Sequence, residues 1–89
     1  TTKDQRLADL HIVVTGGGSG IGRASALRLA RDGAAVMVAD LRGSLAEETA
    51  ALIGDAGGRA AAMRCNVVDE ADVVATMAAA RSHFGPITG

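Results

Sequence analysis

The sequence predicts an α/β fold: a parallel sheet wound by helices, opened at its first strand-to-helix junction by a glycine-rich turn. Three observations predict it. Short apolar runs alternate with helical segments of roughly a dozen residues, the pattern of right-handed βαβ crossovers. The first run stops at a cluster of glycines, and the second closes on an acid, Asp40. The apolar content, 48% of 89 residues, is mostly Ala, Val and Leu with one aromatic residue, Phe84; such small, branched side chains suit a buried parallel sheet flanked by Ala-rich helices.

The elements follow in order. His11-Ile12-Val13-Val14-Thr15 is a β-branched run stopped by glycine, as expected of a buried strand. From Gly20 to about Asp32 the sequence predicts a helix with Ile21, Ala24, Leu27 and Ala30 as its buried face, Arg23, Arg28 and Arg31 on the surface, and Gly33 just past its end. Ala35 to Asp40 is again strand-like. In the next helix, Ser44 followed three residues later by Glu47 reads as a capping box, and Gly57-Gly58 terminates it. Ala60 to Cys65 is weak in strand propensity and is predicted as a strand by its place in the alternation. Asp69 is the expected N-cap of a further helix, with Val73, Met77, Ala80 and Phe84 on its buried face and Gly85 at its end. Pro86-Ile87 then opens a fourth strand. The expected architecture is a Rossmann-type, doubly wound parallel sheet, truncated after the start of its fourth strand, with residues 1–89 the N-terminal part of one domain and no second domain.

Composition narrows the partners. A chain of this length buries only about 60–65% of the surface its unfolded form exposes, which leaves little margin for stability as an isolated unit. Nine basic against ten acidic residues give a net charge of −1 with no block of like charge, so neither nucleic acid nor a membrane surface is indicated. No apolar run approaches the eighteen or so residues of a membrane span, and Thr1 to Leu10 are polar without a signal-peptide core, so the expected location is the cytoplasm. Cys65 is the only cysteine, and His11 and His83 lie in different elements without zinc-site spacing. No metal site is expected. Cys65, Met63 and Met77 read as core side chains.

Gly16, Gly20 and Gly22 have the spacing G-x-x-x-G-x-G at the junction of a strand and a helix. Chemistry at such a junction needs a tight reversal, close approach of backbone to phosphate, and close packing of helix on strand. The helix N-terminus aims free N–H groups and its positive dipole end at the anion. Asp40 lies eighteen residues after Gly22, at the end of the next strand, where a carboxylate can accept from both ribose hydroxyls. A P-loop register from Gly17 to Gly22 fails because Arg23 and Ala24 stand where lysine and a magnesium-binding hydroxyl are required. The G-x-G-x-G pattern of adenosylmethionine-dependent methyltransferases fits at Gly18-Ser19-Gly20-Ile21-Gly22, so on these residues alone that reading stays open beside a dinucleotide site and a non-catalytic nucleotide-binding module.

Thr15-Gly16-Gly17-Gly18-Ser19-Gly20-Ile21-Gly22 resembles the Thr-Gly-x-x-x-Gly-Ile-Gly signature of short-chain dehydrogenases/reductases. Asp40 resembles the ribose-binding acid of that family's NAD-preferring members. Asn66-Val67 stands where the family usually has Asp-Val against the adenine ring, and Phe84-Gly85-Pro86-Ile87 resembles the lead into its fourth strand. The resemblance runs from about Leu10 to the end. It implies a cofactor site built from Gly16, Gly18, Ser19, Gly20, Ile21, Gly22, Asp40, Leu41, Asn66 and Val67. NAD is favoured over NADP, because Asp40 would repel a 2′-phosphate and Ser19 stands where NADP-preferring members often carry a basic residue. Asn66 departs from the usual Asp but keeps a donor and an acceptor.

The resemblance also implies what is absent. The family works with a Tyr-x-x-x-Lys pair, a Ser and an Asn; this chain has no tyrosine, its one lysine is Lys3, and Ser19, Ser25, Ser44 and Ser82 all have structural positions. No catalytic residue is therefore expected here, and the 89 residues are expected to be inactive alone. They are read as the opening of a longer, homo-oligomeric dehydrogenase acting on a small-molecule alcohol or carbonyl substrate.

Overall fold

The computed structural model describes residues 10–89; Lys3 lies outside the described residues. Strands and helices alternate: β1 (His11–Thr15), α1 (Gly20–Arg31), β2 (Ala35–Asp40), α2 (Gly43–Asp55), β3 (Arg59–Arg64) and α3 (Glu70–Phe84). The strands are parallel in the order β1-β2-β3, with His11 in register with Ala35 and Ala35 with Arg59.

Alternation of side chains sorts the core into two layers. Ile12, Val14, Val36, Val38, Ala60 and Ala62 point to the face on which Ala26, Ala30, Ala46 and Ile53 of α1 and α2 pack. Ala35, Met37 and Ala39 point the other way, and α3 packs across all three strands from that side. β2 is buried from Ala35 to Ala39 on both faces, which is why its sequence is continuously apolar rather than alternating. Met37 is among the largest fully buried side chains, whereas the predicted core fillers Met63 and Met77 are half-buried.

Two helix faces differ from expectation. In α1 the buried positions are Ala26 and Ala30, while Ile21 and Ala24 are exposed. Spacing by threes cannot hold one face: Ile21 and Ala30 are nine positions apart, and at about 100° per residue they fall on opposite sides of the helix. In α3 Val73 is 37% exposed and Thr76 is buried in its place beside Ala80. The helix is turned by its own polar groups. Asp72 accepts from the Asn66 N–H at 3.0 Å and pairs with Arg64 at 3.5 Å, and the Thr76 hydroxyl donates to the Asp72 carbonyl at 2.8 Å, so it is buried already satisfied.

The capping box is also corrected. α2 begins at Gly43 with Arg42 as N-cap and no side-chain cap bond, placing Ser44 inside the first turn. Asp40 Oδ1 accepts from the Arg42 N–H at 2.9 Å, and this short link starts the helix before Ser44 can cap it. Asp69 caps α3 as expected, accepting from the N–H groups of Ala71 and Asp72. β3 starts one residue earlier than predicted, at Arg59 in register with the first residue of β2, and ends at Arg64. Cys65 follows it, 2% exposed and packed in the core.

Residues 86–89 form no regular strand, but they already bond to the edge of β1 that faces away from β2. The Thr88 N–H donates to the His11 carbonyl at 2.9 Å and the Val13 N–H to the Gly89 carbonyl at 2.8 Å. His11 Nδ1 donates to the Pro86 carbonyl at 2.8 Å and its ring lies 6.1 Å from that of Phe84. The strand expected to open at Pro86-Ile87 is therefore not formed within the described residues; the segment lies along the free edge of β1, the side on which the doubly wound reading places a fourth strand.

Candidate functional site

Parallel strands bring their C-terminal ends to one edge, the place where open α/β sheets bind ligands. Here that edge carries the turn from Thr15 to Gly22, the β2 end at Asp40-Leu41 and the β3 exit at Asn66-Val67.

The turn is built around glycines for three different reasons. Gly16 and Gly20 have φ of +66° and +56°, a region side chains avoid. A methyl group on Gly22 would overlap the Gly16 carbonyl oxygen, so the start of α1 rests directly on the turn's backbone. A methyl group on Gly18 would lie 2.6 Å from Leu45 Cβ and 2.8 Å from Asp40 Oδ2. The turn is also pinned to β2 by the Gly17 N–H, which donates to the Ala39 carbonyl at 3.2 Å.

Donors are left over at the end of α1 that meets the turn. The first bond within α1 runs from the Arg23 N–H to the Ser19 carbonyl, so the N–H groups of Gly20, Ile21 and Gly22 have no acceptor among the described residues. Ser19 is extended and makes no side-chain cap bond, which leaves that end of the dipole open. Ile21 beside it is 87% exposed.

Asp40 joins the turn to the acid end of β2. Its Oδ2 accepts from the Gly18 N–H and its Oδ1 from the Arg42 N–H, each at 2.9 Å. Two backbone donors fix the carboxylate plane, and each oxygen keeps a second lone pair for a hydroxyl. Leu41, 55% exposed, and Val67, 56% exposed, flank the same edge. Asn66 Oδ1 accepts from the Val68 N–H at 3.2 Å while the Asn66 carbonyl accepts from the Asp69 N–H, which shapes the loop around this half-buried residue.

A family model described as short chain dehydrogenase matches residues 10–89. The chain belongs to the short-chain dehydrogenase family. Among its relatives, 2,5-dichloro-2,5-cyclohexadiene-1,4-diol dehydrogenase of Sphingobium indicum is 45% identical over 93% of this chain and 32% of its own length. Cis-4-hydroxycyclohexanecarboxylate dehydrogenase of Sinomonas cyclohexanicum is 42% identical over 93% of this chain and 33% of its own. Among solved structures, a hydroxysteroid dehydrogenase from Escherichia coli superposes with a TM-score of 0.91 and 32% identity, covering 98% of this chain and 36% of that one. The chain therefore spans about a third of the length of these short-chain dehydrogenases and corresponds to their dinucleotide-binding segment, which sets aside the methyltransferase alternative.

Sequence reasoning missed Arg23. Expected on the surface, its side chain is only 25% exposed and reaches the Gly18 carbonyl, Thr49 and Glu48. A signal was available: Thr49 interrupts the otherwise apolar stripe Ala46, Ala50, Ile53 of α2, and its fully buried hydroxyl accepts from Arg23. A concavity of about 600 Å³, lined by residues such as Leu27, Arg28, Ile53 and Gly57, opens between the C-terminal ends of α1 and α2. It lies at the far end of α1 from the turn and includes none of the site residues. Among the described residues, no helix is long and apolar enough to cross a membrane.

Proposed function

We propose that residues 1–89 form the N-terminal part of a single NAD-binding domain and hold the adenosine diphosphate half of NAD. The contact that carries this reading is the 2.9 Å bond from the Gly18 N–H to Asp40 Oδ2, which sets a ribose acceptor directly beside a phosphate turn. In this assignment Gly16, Gly18, Ser19, Gly20, Ile21 and Gly22 receive the pyrophosphate through backbone N–H groups and the α1 dipole. Asp40 accepts from the 2′- and 3′-hydroxyls of the adenosine ribose. Leu41, Asn66 and Val67 border the adenine, Asn66 through its side-chain amide.

Charge favours NAD over NADP. A 2′-phosphate at the ribose site would face the Asp40 carboxylate, while Ser19 brings no cation to offset it. In the whole protein, hydride then passes between NAD and an alcohol or carbonyl carbon of a small-molecule substrate, with the acid/base groups supplied outside this segment. Its relatives are named for substrates as different as a chlorinated cyclic diol and a hydroxycyclohexanecarboxylate, so the class of reaction, not the substrate, is what carries over. A cytoplasmic homo-oligomer belongs to the same reading. Fluorescence titration of the protein with NADH and NADPH tests the assignment: tighter NADH binding is expected, and tighter NADPH binding refutes it.

A further inference from the structure

Gly18 is held from both sides. Its N–H donates to Asp40 Oδ2 at 2.9 Å, and its carbonyl accepts from Arg23 Nη2 at 2.7 Å. Arg23 reaches further, to α2: Nε donates to Thr49 Oγ1 at 2.9 Å and Nη2 to Glu48 Oε1 at 3.0 Å. Asp40 closes the circuit from the other end, because its Oδ1 accepts from the Arg42 N–H, and the Arg42 carbonyl accepts from the N–H groups of Leu45 and Ala46 near the start of α2. A continuous ring therefore runs from Asp40 through Gly18, Arg23, Thr49, α2 and Arg42 back to Asp40.

We propose that Arg23 is a positioning residue of the nucleotide site: by clamping Gly18 against α2 it sets the spacing between the glycine turn and Asp40, and with it the discrimination between a free and a phosphorylated 2′-hydroxyl. This rests on the NAD reading above. The guanidinium suits the task because its planar fork holds several acceptors in fixed directions, which an ammonium cannot do. Arg28, five residues further along the same helix, shows what an arginine without that task looks like: its side chain is 66% exposed and pairs with Asp32 at 3.8 Å, within its own helix end. Loss of the clamp leaves the Gly18 carbonyl and the buried Thr49 hydroxyl short of a charged donor. Gly18 then shifts, and Asp40 loses one of the two backbone donors that hold its carboxylate against the ribose.

The decisive quantity is the ratio of dissociation constants for NADPH and NADH, measured by fluorescence titration on the parent protein, Arg23→Met, Arg23→Lys and Thr49→Val, with circular dichroism as the check on folding. With the clamp broken, NADH binding is expected to weaken about tenfold, the size of one lost charge-assisted hydrogen bond. NADPH, already opposed by Asp40, changes less, so the ratio falls. Arg23→Lys keeps the charge and must move the ratio in the same direction; Thr49→Val attacks the clamp from the α2 end and gives the reading if Arg23→Met does not fold. Folded variants that weaken both nucleotides equally, or neither, overturn the clamp. A parent protein with no preference for NADH overturns the NAD assignment itself, before any variant is considered.

Discussion

Gly22→Ala tests the closest backbone approach found at any of the described glycines. Helix propensity by itself predicts a gain: Gly22 lies in the first turn of α1, and alanine in place of glycine in a helix is worth up to about 1 kcal/mol. The structure predicts the opposite sign. The added methyl would overlap the Gly16 carbonyl oxygen, lie 2.6 Å from the Gly16 carbonyl carbon and 3.1 Å from Gly17 Cα. All three are backbone atoms, so no side-chain rotation relieves the overlap, and α1 must move away from β1 or the turn must open. Overpacking in a well-filled interior costs about 1–3 kcal/mol and occasionally more; with no flexible neighbour we expect about 3 kcal/mol, net of the propensity gain. In urea unfolding this appears as a midpoint lowered by about 1–3 M. Gly20→Ala is the control: nothing lies within 4 Å of its added methyl, and only the φ of +56° is unfavourable, at about 1–2 kcal/mol. A Gly22→Ala protein as stable as its parent, with undiminished NADH binding, would refute the close packing of helix on turn.

Other positions separate binding from stability. Asp40→Asn replaces an acceptor by a donor beside the Gly18 and Arg42 N–H groups, so NADH affinity should drop at least tenfold and the NADPH-to-NADH ratio should fall; an unchanged ratio counts against the ribose role of Asp40. Ile21, 87% exposed at the ligand end of α1, can be cut to alanine with less than about 0.5 kcal/mol of stability lost, and any loss of NADH affinity then reports contact with the cofactor. Asp69→Ala removes the cap of α3 and should cost about 1 kcal/mol in chemical unfolding without altering NADH binding. Met37→Ala opens a cavity under the central strand and should cost about 2–5 kcal/mol, the largest single loss in this set alongside Gly22→Ala.

Some of this molecule is local chemistry, and the sequence by itself determined that part. The alternation of apolar runs with helical segments dictated the parallel sheet, even at β3, whose three alanines carry little strand propensity of their own. The glycine spacing determined the turn, since positive φ at Gly16 and Gly20 is a property of the residue and its backbone. The Asp69 cap depended only on neighbours within three positions.

What tertiary structure alone decided concerns groups distant in sequence. The Ser44-Glu47 cap lost to a start two residues earlier, because Asp40, at the end of a strand, seized the Arg42 N–H first. The buried faces of α1 and α3 were set by the close contact at Gly22 and by the Asp72 bonds to Asn66 and Arg64, none of which hydrophobic spacing encodes. Arg23 shows the point most clearly. One residue past the last glycine of the turn it reads as a surface cation, yet folding brings it within hydrogen-bond distance of a carbonyl five residues back and of two α2 side chains some 25 residues ahead. Composition and spacing name the donor, but only the packing of α1 on α2 supplies its acceptors.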